Sequence, residues 1–334
     1  MATTFGATTD GITVVRHFAD QVKGRTFLLT GPSQGGIGSE TVISLAHGAP
    51  AMIILIGRSL AKAQDAINAI KDTNADTRVK FIDADLASLK SVRRAAVTIL
   101  NDDEIPRIDV VINNAGVMAC PHTLTEDKIE LQLAASLTGH FVLTNKIMPK
   151  VLAAGSGSRI VLVSSTGHRY RPFNLEDPNF AEEGTYTEYD GYGSAKSAEM
   201  LYGVALNRRL AASRGIRTYA VHPGGIATHL QDHVKAAGDE AHMMGLFDKA
   251  CRVVHGMSIL DYFAKHPYKT LQQGCSTTLV AALDPDLANR EGYYLEDCTL
   301  TTDPALAKPW ATDPDLAEKC WKKTEELVGE TYKF

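Results

Sequence analysis

The stretch TGPSQGGIG, residues 30–38, follows the apolar run TFLLT at residues 26–30 and precedes a helical pattern. Its glycines Gly31, Gly36 and Gly38 allow a tight turn and a close approach of the backbone to a ligand. The first turn of a helix has free N–H groups, which bind phosphate well. The stretch therefore predicts a strand–turn–helix unit that holds a phosphate-bearing cofactor.

A second pattern, YGSAK at residues 192–196, has a tyrosine and a lysine four residues apart. On a helix these two side chains lie on one face. The ammonium of Lys196 then favours the phenolate form of Tyr192, because an opposite charge nearby stabilises the charged form. A tyrosine that can ionise can exchange a proton with a substrate oxygen. Together with the glycine turn, the pair indicates hydride transfer from a nicotinamide and proton transfer from Tyr192.

Short apolar runs alternate with longer helical patterns along the chain. Such alternation predicts βαβ units and a parallel sheet covered on both faces. The predicted strands are residues 26–30, 51–56, 78–82, 109–113, 159–164, 216–221 and 292–295. The first two helices are predicted at residues 38–47 and, with Ser59 as its cap, 60–70.

Two segments interrupt this alternation. Residues 169–190 are polar, aromatic and rich in turn residues, and residues 229–273 are long and carry methionines and aromatic side chains. Long insertions in compact domains are usually lids or binding loops. We expect residues 229–273 to cover a substrate; the alternative is a helical surface decoration or a subunit contact.

Composition and charge argue against several classes of protein. The 334 residues are 44% hydrophobic with a net charge of −5, which offers no basic surface for nucleic acid. No apolar run reaches the roughly 18 residues of a membrane helix, and residues 1–10 lack the regions of a signal peptide. Five scattered cysteines, an odd number, predict a reducing, cytoplasmic location without structural disulfides.

Short motifs follow one another in a characteristic order. They are the glycine turn, Asp85-Leu86, Asn113-Asn114-Ala115-Gly116, Gly139-His140-Phe141, Ser164-Ser165, Tyr192 with Lys196, His222-Pro223-Gly224, and GYYLED at residues 292–297. With them the chain resembles the short-chain dehydrogenase/reductase superfamily, most of all its retinol-dehydrogenase-like branch and fungal oxidoreductase relatives. The resemblance covers nearly the whole chain. It implies an α/β fold in a single domain, residues 1–334: a Rossmann-type doubly wound parallel sheet of about seven strands, with the cofactor at their carboxyl ends.

The resemblance implies four catalytic positions. Ser165 matches the serine that holds and orients the substrate carbonyl, with Ser164 as the alternative. Tyr192 matches the acid–base residue, and Lys196 matches the lysine that holds the nicotinamide ribose. Ser136 stands where the family has an asparagine that holds a water linking the lysine to solvent. Because serine reaches less far, the proton relay at Ser136 is slower, rerouted through water, or unused.

The resemblance also implies the cofactor-binding residues. Asp85 and Leu86 would contact the adenine, and Ile226 would meet the nicotinamide carboxamide through its backbone. The full set is Gly31, Ser33, Gly36, Ile37, Gly38, Arg58, Asp85, Leu86, Asn113, Ala115, Gly116, Tyr192, Lys196, Pro223, Gly224, Ile226 and Thr228. The glycine turn is one residue longer than the family's usual spacing, so Gly35 is either part of the motif or a small bulge before it.

The residue after the second strand indicates which dinucleotide binds. An acidic side chain there binds a ribose hydroxyl and repels a 2′-phosphate. This chain has Gly57 and then Arg58, and the fork of an arginine matches phosphate oxygens. We expect NADP(H) as the cofactor; the alternative is that Arg58 is a solvated residue at a helix start.

These features predict an NADP-dependent oxidoreductase, either a carbonyl reductase or an alcohol dehydrogenase in reverse. The composition of residues 229–273 and the branch resemblance favour a bulky, partly hydrophobic ketone, aldehyde or alcohol, such as a secondary-metabolite intermediate or a retinoid- or steroid-like molecule. Ser136 keeps two alternatives open: a dinucleotide-binding protein with little turnover, and a redox-neutral enzyme such as an epimerase. Relatives often dimerise through helices that would include residues 139–152 and 192–210, so a homodimer is one expectation and a monomer the other.

One histidine pair has the spacing of a metal site. His229 and His233 are four residues apart and could face a metal together. No third ligand with a motif spacing accompanies them. We therefore expect no metal, and a polar face of the lid instead.

Overall fold

The structure, a computed structural model, describes residues 4–231 and 240–334. These residues form a central sheet of eight strands. The strands are β1 (Thr26–Thr30), β2 (Met52–Gly57), β3 (Arg78–Asp83), β4 (Val110–Asn113), β5 (Arg159–Val163), β6 (Arg217–His222), β7 (Tyr294–Glu296) and β8 (Thr299–Thr301). Their order is β3-β2-β1-β4-β5-β6-β7-β8, and all pairs except β7–β8 are parallel. The predicted Rossmann-type fold is confirmed.

Helices cover both faces of this sheet. They are α1 (Gly11–His17), α2 (Ile37–Ala46), α3 (Leu60–Thr73), α4 (Leu89–Leu100), α5 (Leu131–Leu133), α6 (Gly139–Lys146), α7 (Met148–Ala154), α8 (Glu188–Arg214), α9 (Glu240–His255), α10 (Ile259–Lys265), α11 (Leu271–Leu283), α12 (Pro309–Thr312) and α13 (Pro314–Val328). Successive strand side chains point to opposite faces. Leu28 accordingly joins the core under α4, α6 and α8, while Phe27 and Leu29 join the core under α2 and α11.

The strand order changes direction between β1 and β4. From this point β2 and β3 follow on the side of β1, and β5 to β8 follow on the side of β4. At such a switch point the loops beyond the carboxyl ends diverge and leave a crevice for a ligand. The glycine turn leaves β1 at this point, and the segment that begins with Asn114 leaves β4 there. The fold therefore places the predicted cofactor residues of both loops at one edge of the sheet.

The predicted strand at residues 292–295 corresponds to β7, and the strand β8 that forms a hairpin with it is the part of the sheet that the sequence pattern did not predict. Asp297 and Cys298, between the two strands, both have positive φ values, 49° and 62°. Two-residue hairpin turns with positive φ at both positions are usually recognised in a sequence by Asn-Gly or Asp-Gly. The Asp-Cys pair lacks that signal, and the sheet has one antiparallel edge strand more than the seven predicted.

The start of α3 follows the prediction. Ser59 caps this helix, because its hydroxyl accepts a hydrogen bond from the N–H of Lys62 at 3.4 Å. The helix runs to Thr73, three residues past the predicted end. Gln34 of the glycine turn donates its N–H to the carbonyl of Lys62 at 3.0 Å. This bond holds the turn against the first turn of α3.

The helix α13 packs on α6 and α8. Trp321 is 2% exposed, and its ring centroid lies 4.8 Å from that of Phe141 and 5.9 Å from that of Tyr202. The guanidinium of Arg209 lies 3.9 Å from the indole centroid. The expected homodimer would use α6 and α8, and here the chain's own C-terminal helix covers a face of both.

Residues 229–273 form α9, α10 and the first turn of α11 in their described part. Residues 232–239 of this segment lie outside the described residues. The five cysteines are buried, and none of them forms a disulfide. Within the described ranges, no helix combines the length and apolar character that a bilayer crossing requires.

We expect Trp321→Ala to lower the free energy of unfolding by about 3–5 kcal/mol, because it removes a buried indole from between two aromatic rings. Val97→Ala is the matched control, since Val97 is 52% exposed and should change stability by less than about 0.5 kcal/mol. Urea denaturation followed by circular dichroism measures both. Equal losses in the two variants would show that α13 contributes little to the core.

Candidate active site

The glycine turn is fastened to the end of β4 through Asn114. The side-chain amide of Asn114 donates hydrogen bonds to the carbonyl oxygens of Thr30 (2.9 Å) and Gly31 (3.2 Å). A Cβ on Gly38 would lie only 2.3 Å from the Gly31 oxygen and 2.5 Å from the Asn114 amide nitrogen. Only glycine at position 38 permits this packing. The turn is therefore held rigidly in front of α2.

The N-terminus of α2 has no side-chain cap. Gly36 is its N-cap residue, and no side chain of the described residues bonds to the first-turn N–H groups there. Gly35 adopts a left-handed conformation, with a φ of +69°. It lies just before the helix and beside His229. Free N–H groups at a helix N-terminus fit the pyrophosphate of a dinucleotide.

A small cavity of about 130 Å³ opens beside the turn. Its lining residues are Pro32, Ser33, Gly57, Arg58, Ser59, Lys62 and Ala63. Arg58 and Lys62 are exposed, and neither makes an ion pair with any residue in the described ranges. Two cations and two hydroxyls are a donor set that matches a phosphate group. Sequence reasoning selected Ser33 and Arg58 but missed Lys62, which lies one helical turn beyond Arg58 and could have been found from that spacing.

The two neighbouring asparagines after β4 take different roles. Asn113 is fully buried, and its amide donates to the hydroxyl of Thr144 at 3.0 Å. Its side chain therefore fastens β4 to α6 and does not face the glycine turn. Asn114, which sequence reasoning left out of the cofactor set, is the asparagine that contacts the glycine turn. Ala115 packs against Gly31, where a Cβ would meet it at 3.0 Å.

The loop after β3 lies close to α6. Asp85 accepts a hydrogen bond from the N–H of Ala87 at 2.9 Å, which closes a tight turn. A Cβ on Gly139 would lie 2.3 Å from the carbonyl oxygen of Leu86. Gly139 thus lets the first turn of α6 approach the predicted adenine-binding loop.

Thr30 connects three elements through one hydroxyl. Its oxygen accepts hydrogen bonds from the N–H groups of Asn114 (3.0 Å) and Ala115 (2.9 Å), and it lies 2.8 Å from Nε2 of His140. The other ring nitrogen of His140 lies 3.1 Å from the carbonyl oxygen of Ser136. That oxygen can only accept, so Nδ1 carries the proton and Nε2 accepts from Thr30. Burial lowers the pKa of His140 to about 4, and the ring is neutral at neutral pH.

Ser165 and Tyr192 come together across Gly167. The hydroxyl of Ser165 accepts a hydrogen bond from the N–H of Gly167 at 3.0 Å. A Cβ on Gly167 would lie 2.8 Å from the ring of Tyr192 and 3.5 Å from the Ser165 oxygen. The alternative serine, Ser164, is buried, and its hydroxyl donates to the backbone carbonyl of Lys196 at 3.4 Å. Of the two, Ser165 is the serine beside the tyrosine.

Lys196 is buried behind Tyr192. Its ammonium lies 5.9 Å from the centre of the Tyr192 ring. It donates to the carbonyl oxygen of Val163 at 2.9 Å and to Oε2 of Glu199 at 2.8 Å. Burial by itself lowers the pKa of Lys196, but Glu199 and Tyr192 raise it more, and the net shift is upward. The ammonium is thus charged at neutral pH in a buried position.

Ser136 lies in a π-helical segment, Ala134–Thr138, between α5 and α6. Its side-chain oxygen is buried and has no hydrogen-bond partner among the residues that the structure describes. A Cβ on Gly116 would be 3.8 Å from this oxygen and 3.8 Å from the ammonium of Lys196. Gly116 therefore adds no side chain of its own between Ser136 and Lys196.

The segment after β6 reaches the N-terminus of α2. A Cβ on Gly274 would lie 2.8 Å from Ile226 and 3.0 Å from Ile37. Pro223 is buried, Gly224 has a φ of +98°, and Thr228 accepts a hydrogen bond from the N–H of Leu230 at 3.3 Å. Ile226 pairs with Lys269 in an isolated bridge. The structure thus places both predicted cofactor segments side by side.

The helix α9 contacts the site from outside the sheet. Met243 packs on Ala119 in a small apolar cluster that also includes Met118, Leu246 and Phe247. The ring of Phe247 lies 5.9 Å from that of Tyr189, which in turn lies 5.8 Å from that of Tyr192. Nε2 of His242 lies 3.6 Å from the carboxylate of Glu188. This apolar cluster therefore forms a wall beside Tyr189, whose ring neighbours that of Tyr192.

The histidine pair considered as a metal site is only half described. His229 lies beside Gly35, and His233 lies outside the described residues. Within residues 4–231 and 240–334, no three histidine, cysteine, aspartate or glutamate side chains are grouped to hold a metal ion.

Comparisons with known proteins agree with this arrangement. A family model described as short chain dehydrogenase matches residues 25–176. The short-chain dehydrogenase/reductase prx1 of Penicillium roqueforti is 36% identical over 323 residues, which cover 93% of this chain and 86% of that protein. The chain belongs to the short-chain dehydrogenase/reductase family. Retinol dehydrogenase 13 of Homo sapiens is 34% identical and covers 92% of this chain and 86% of its own, which confirms the resemblance to that branch.

A solved structure of an uncharacterized protein from Mycobacterium paratuberculosis has a TM-score of 0.67 and 27% identity, over 93% of this chain and 96% of its own. As a member of the short-chain dehydrogenase/reductase family, the chain described here is an oxidoreductase that acts on small molecules and uses a nicotinamide dinucleotide. Solved structures that share the fold include complexes with NAD and with NADPH. The fold alone therefore does not determine which of the two binds.

We expect Ser136→Asn to leave turnover unchanged or to reduce it. Ser136 is fully buried. The larger side chain of asparagine would overpack the core around the segment Ala134–Thr138. The measurement is turnover of both proteins as a function of pH, in light and heavy water. A large rate increase in the variant would instead show that proton supply at this position limits the native protein.

Proposed function

We propose that the protein is an NADPH-dependent carbonyl reductase that can act as an alcohol dehydrogenase in reverse. The observation that carries this proposal is the meeting of Ser165 and Tyr192 across Gly167, with the charged Lys196 buried behind the tyrosine. A pure binding module has no use for a hydroxyl, a phenol and an ammonium in this arrangement. Five buried cysteines without a disulfide support a reducing compartment such as the cytoplasm.

In this mechanism the bound dinucleotide supplies the hydride. The hydroxyl of Ser165 holds the substrate carbonyl oxygen and orients it. The phenol of Tyr192 donates a proton to that oxygen as the alcohol forms. The ammonium of Lys196 stabilises the phenolate that remains, because an opposite charge at short range lowers its energy. In the direction of alcohol oxidation, the phenolate of Tyr192 takes up the proton.

The cavity beside the glycine turn supports NADP(H) as the dinucleotide. It opens next to the N-terminus of α2 and is bordered by Arg58, Lys62, Ser33 and Ser59. None of these side chains is acidic, so nothing in the lining repels a 2′-phosphate. Arg58 offers a bidentate fork and Lys62 a point charge.

The wall next to Tyr192 supports a bulky, partly hydrophobic substrate. Met118, Met243 and Phe247 offer apolar surface, and Tyr189 adds an aromatic ring. We propose that α9 forms part of a lid, because its side chains contact both Tyr189 and the loop after β4. Ketones, aldehydes or alcohols with a ring system or a long alkyl part fit this composition.

One observation favours a second function. The buried hydroxyl of Ser136 has no partner among the described residues and stands where the family has an asparagine. A weakened proton relay would suit a dinucleotide-binding protein with little turnover. Incubation with NADPH and a panel of aromatic ketones separates the two functions, since a binding protein would saturate with NADPH and reduce none of them.

We expect Tyr192→Phe to lower carbonyl reduction by about a hundredfold or more, because it removes the proton donor and keeps the ring. NADPH binding, followed by fluorescence, should be retained. Tyr268→Phe is the control, since Tyr268 is 57% exposed. Lys196→Met should damage both turnover and NADPH affinity. Reduction at the native rate by Tyr192→Phe would refute the mechanism.

We expect the native protein to bind NADPH more tightly than NADH, and Arg58→Ala to reduce that preference by about tenfold or more, as the loss of a charge-assisted phosphate contact implies. Lys62→Ala should act in the same direction. Lys323→Ala is the control, because Lys323 pairs with Glu326 within α13. Titration calorimetry measures the dissociation constants. Equal constants for the two dinucleotides in the native protein would contradict the assignment.

A further inference from the structure

Glu199 is a buried carboxylate next to the catalytic ammonium. Its side chain is 1% exposed, and that of Lys196 is 5% exposed. The two charged atoms are 2.8 Å apart, one helical turn from each other on α8. The second carboxylate oxygen of Glu199 is buried and has no hydrogen-bond partner among the residues that the structure describes. The proposed mechanism does not use this residue.

Stability alone is a poor explanation for such a pair. The desolvation of two buried charges roughly cancels their attraction, and well-packed apolar residues of similar volume usually stabilise a fold as well or better. The unpartnered oxygen of Glu199 adds a further desolvation cost. A contribution to stability therefore does not explain why two charged residues stand at these buried positions.

The geometry shows what the carboxylate does to the charge. Lys196 has two anchors, the carbonyl oxygen of Val163 at the end of β5 and the carboxylate of Glu199. The carboxylate oxygen lies 2.8 Å from the ammonium, and the ammonium lies 5.9 Å from the Tyr192 ring. The negative charge is therefore less than about 9 Å from the ring. At an effective dielectric constant of about 20, a unit charge at this distance changes a proton equilibrium by about one pH unit or more.

We propose that Glu199 is a positioning residue for the proton donor: it holds Lys196 against Val163 and offsets its charge, so that Tyr192 stays protonated. A protonated Tyr192 is the form that donates to a carbonyl oxygen, and a phenolate is the form that accepts from an alcohol. Glu199 thus extends to higher pH the range over which the proton-donating form predominates. This inference rests on the proposed role of Tyr192.

The other groups that face the pair do not change their charge in the range where a tyrosine ionises. His140 of α6 is within electrostatic reach of Lys196, and burial lowers its pKa to about 4. Cys320 of α13 contacts the backbone of Ala198 at 3.7 Å, and burial raises its pKa to about 12. Ser136 and the Val163 carbonyl carry no charge. Burial raises the pKa of Tyr189, whose ring lies 5.8 Å from that of Tyr192. Burial also raises the pKa of Glu199 to about 7, against the effect of Lys196, so Glu199 is a carboxylate in the range where a tyrosine ionises. Among the described residues, the charge balance there is therefore set by Lys196, Glu199 and Tyr192.

The test is Glu199→Gln, which keeps a hydrogen-bond acceptor for Lys196 and removes the negative charge. Tyrosinate formation is followed by ultraviolet absorbance during a pH titration of the whole protein, and the same titration of the Tyr192→Phe variant is subtracted to isolate Tyr192. We expect the midpoint to fall by about one pH unit or more. The pH above which carbonyl reduction declines should fall by the same amount. A midpoint that is unchanged or higher overturns the inference.

The matched control is Glu318→Gln. Glu318 of α13 forms a partly exposed ion pair, 3.0 Å long, with Arg209, which lies on α8 like Glu199, and the substitution removes the negative charge of this pair. It should leave the Tyr192 midpoint unchanged. If Glu199→Gln does not fold, Glu199→Asp replaces it: the carboxylate retreats by one methylene, so the midpoint should fall by a smaller amount, and no change contradicts the inference. The titration needs no turnover. Activity in Tyr192→Phe would refute the proposed function, whereas an unshifted midpoint in Glu199→Gln refutes the role of Glu199.

Discussion

The buried ammonium of Lys196 is the constraint on which the active-site side of the molecule depends. An ion in the interior costs several kcal/mol unless oxygen atoms surround it. Two elements supply these atoms, β5 through the carbonyl of Val163 and α8 through Glu199. Because both bonds must form, the depth at which α8 sits on the sheet is fixed. Tyr192, one helical turn earlier, is then held at the carboxyl end of β5, where Ser165 emerges.

A second buried polar centre does the same on the cofactor side. The hydroxyl of Thr30 joins β1 to the segment after β4 and, through His140, to the carbonyl of Ser136. Each group in this chain of contacts is neutral, and each has a partner, so the cost of burial is small. The glycine turn and the segment around Ser136 are thereby coupled by hydrogen bonds as well as by packing. A change in one of these groups alters the position of both binding regions.

The fold could be predicted because inner parallel strands such as β1, β2 and β5 are buried on both faces and therefore read as apolar runs. Ser59 and the glycine turn could be recognised by local chemistry. The hairpin β7–β8 could not, because Asp297 and Cys298 form a tight turn without a glycine. Asn113 and Asn114 are identical in type, and only the register of β4 decides which of them faces the glycine turn.

The candidate site was predictable where one motif holds all its parts, as with Tyr192 and Lys196. Glu199 was visible as an acid three residues after Lys196 on a helix, a spacing that allows an ion pair. What the sequence did not show was that both charges are buried, since this depends on α6 and α13 packing over them. The contacts of Met243 and Phe247 with the site also depend on tertiary packing. The sequence pattern of residues 229–273 does not indicate that they pack near α8.

The position of α13 has a consequence for how the molecule is made. A ribosome releases a chain from its N-terminus onward, and domains begin to fold during synthesis. Residues 314–328 emerge long after α6 and α8, so Phe141 and Tyr202 remain uncovered until Trp321 arrives. During this interval the nascent chain displays an aromatic surface of the kind that chaperones bind and that aggregates form from. Arrival of this late segment of the same polypeptide ends that exposure.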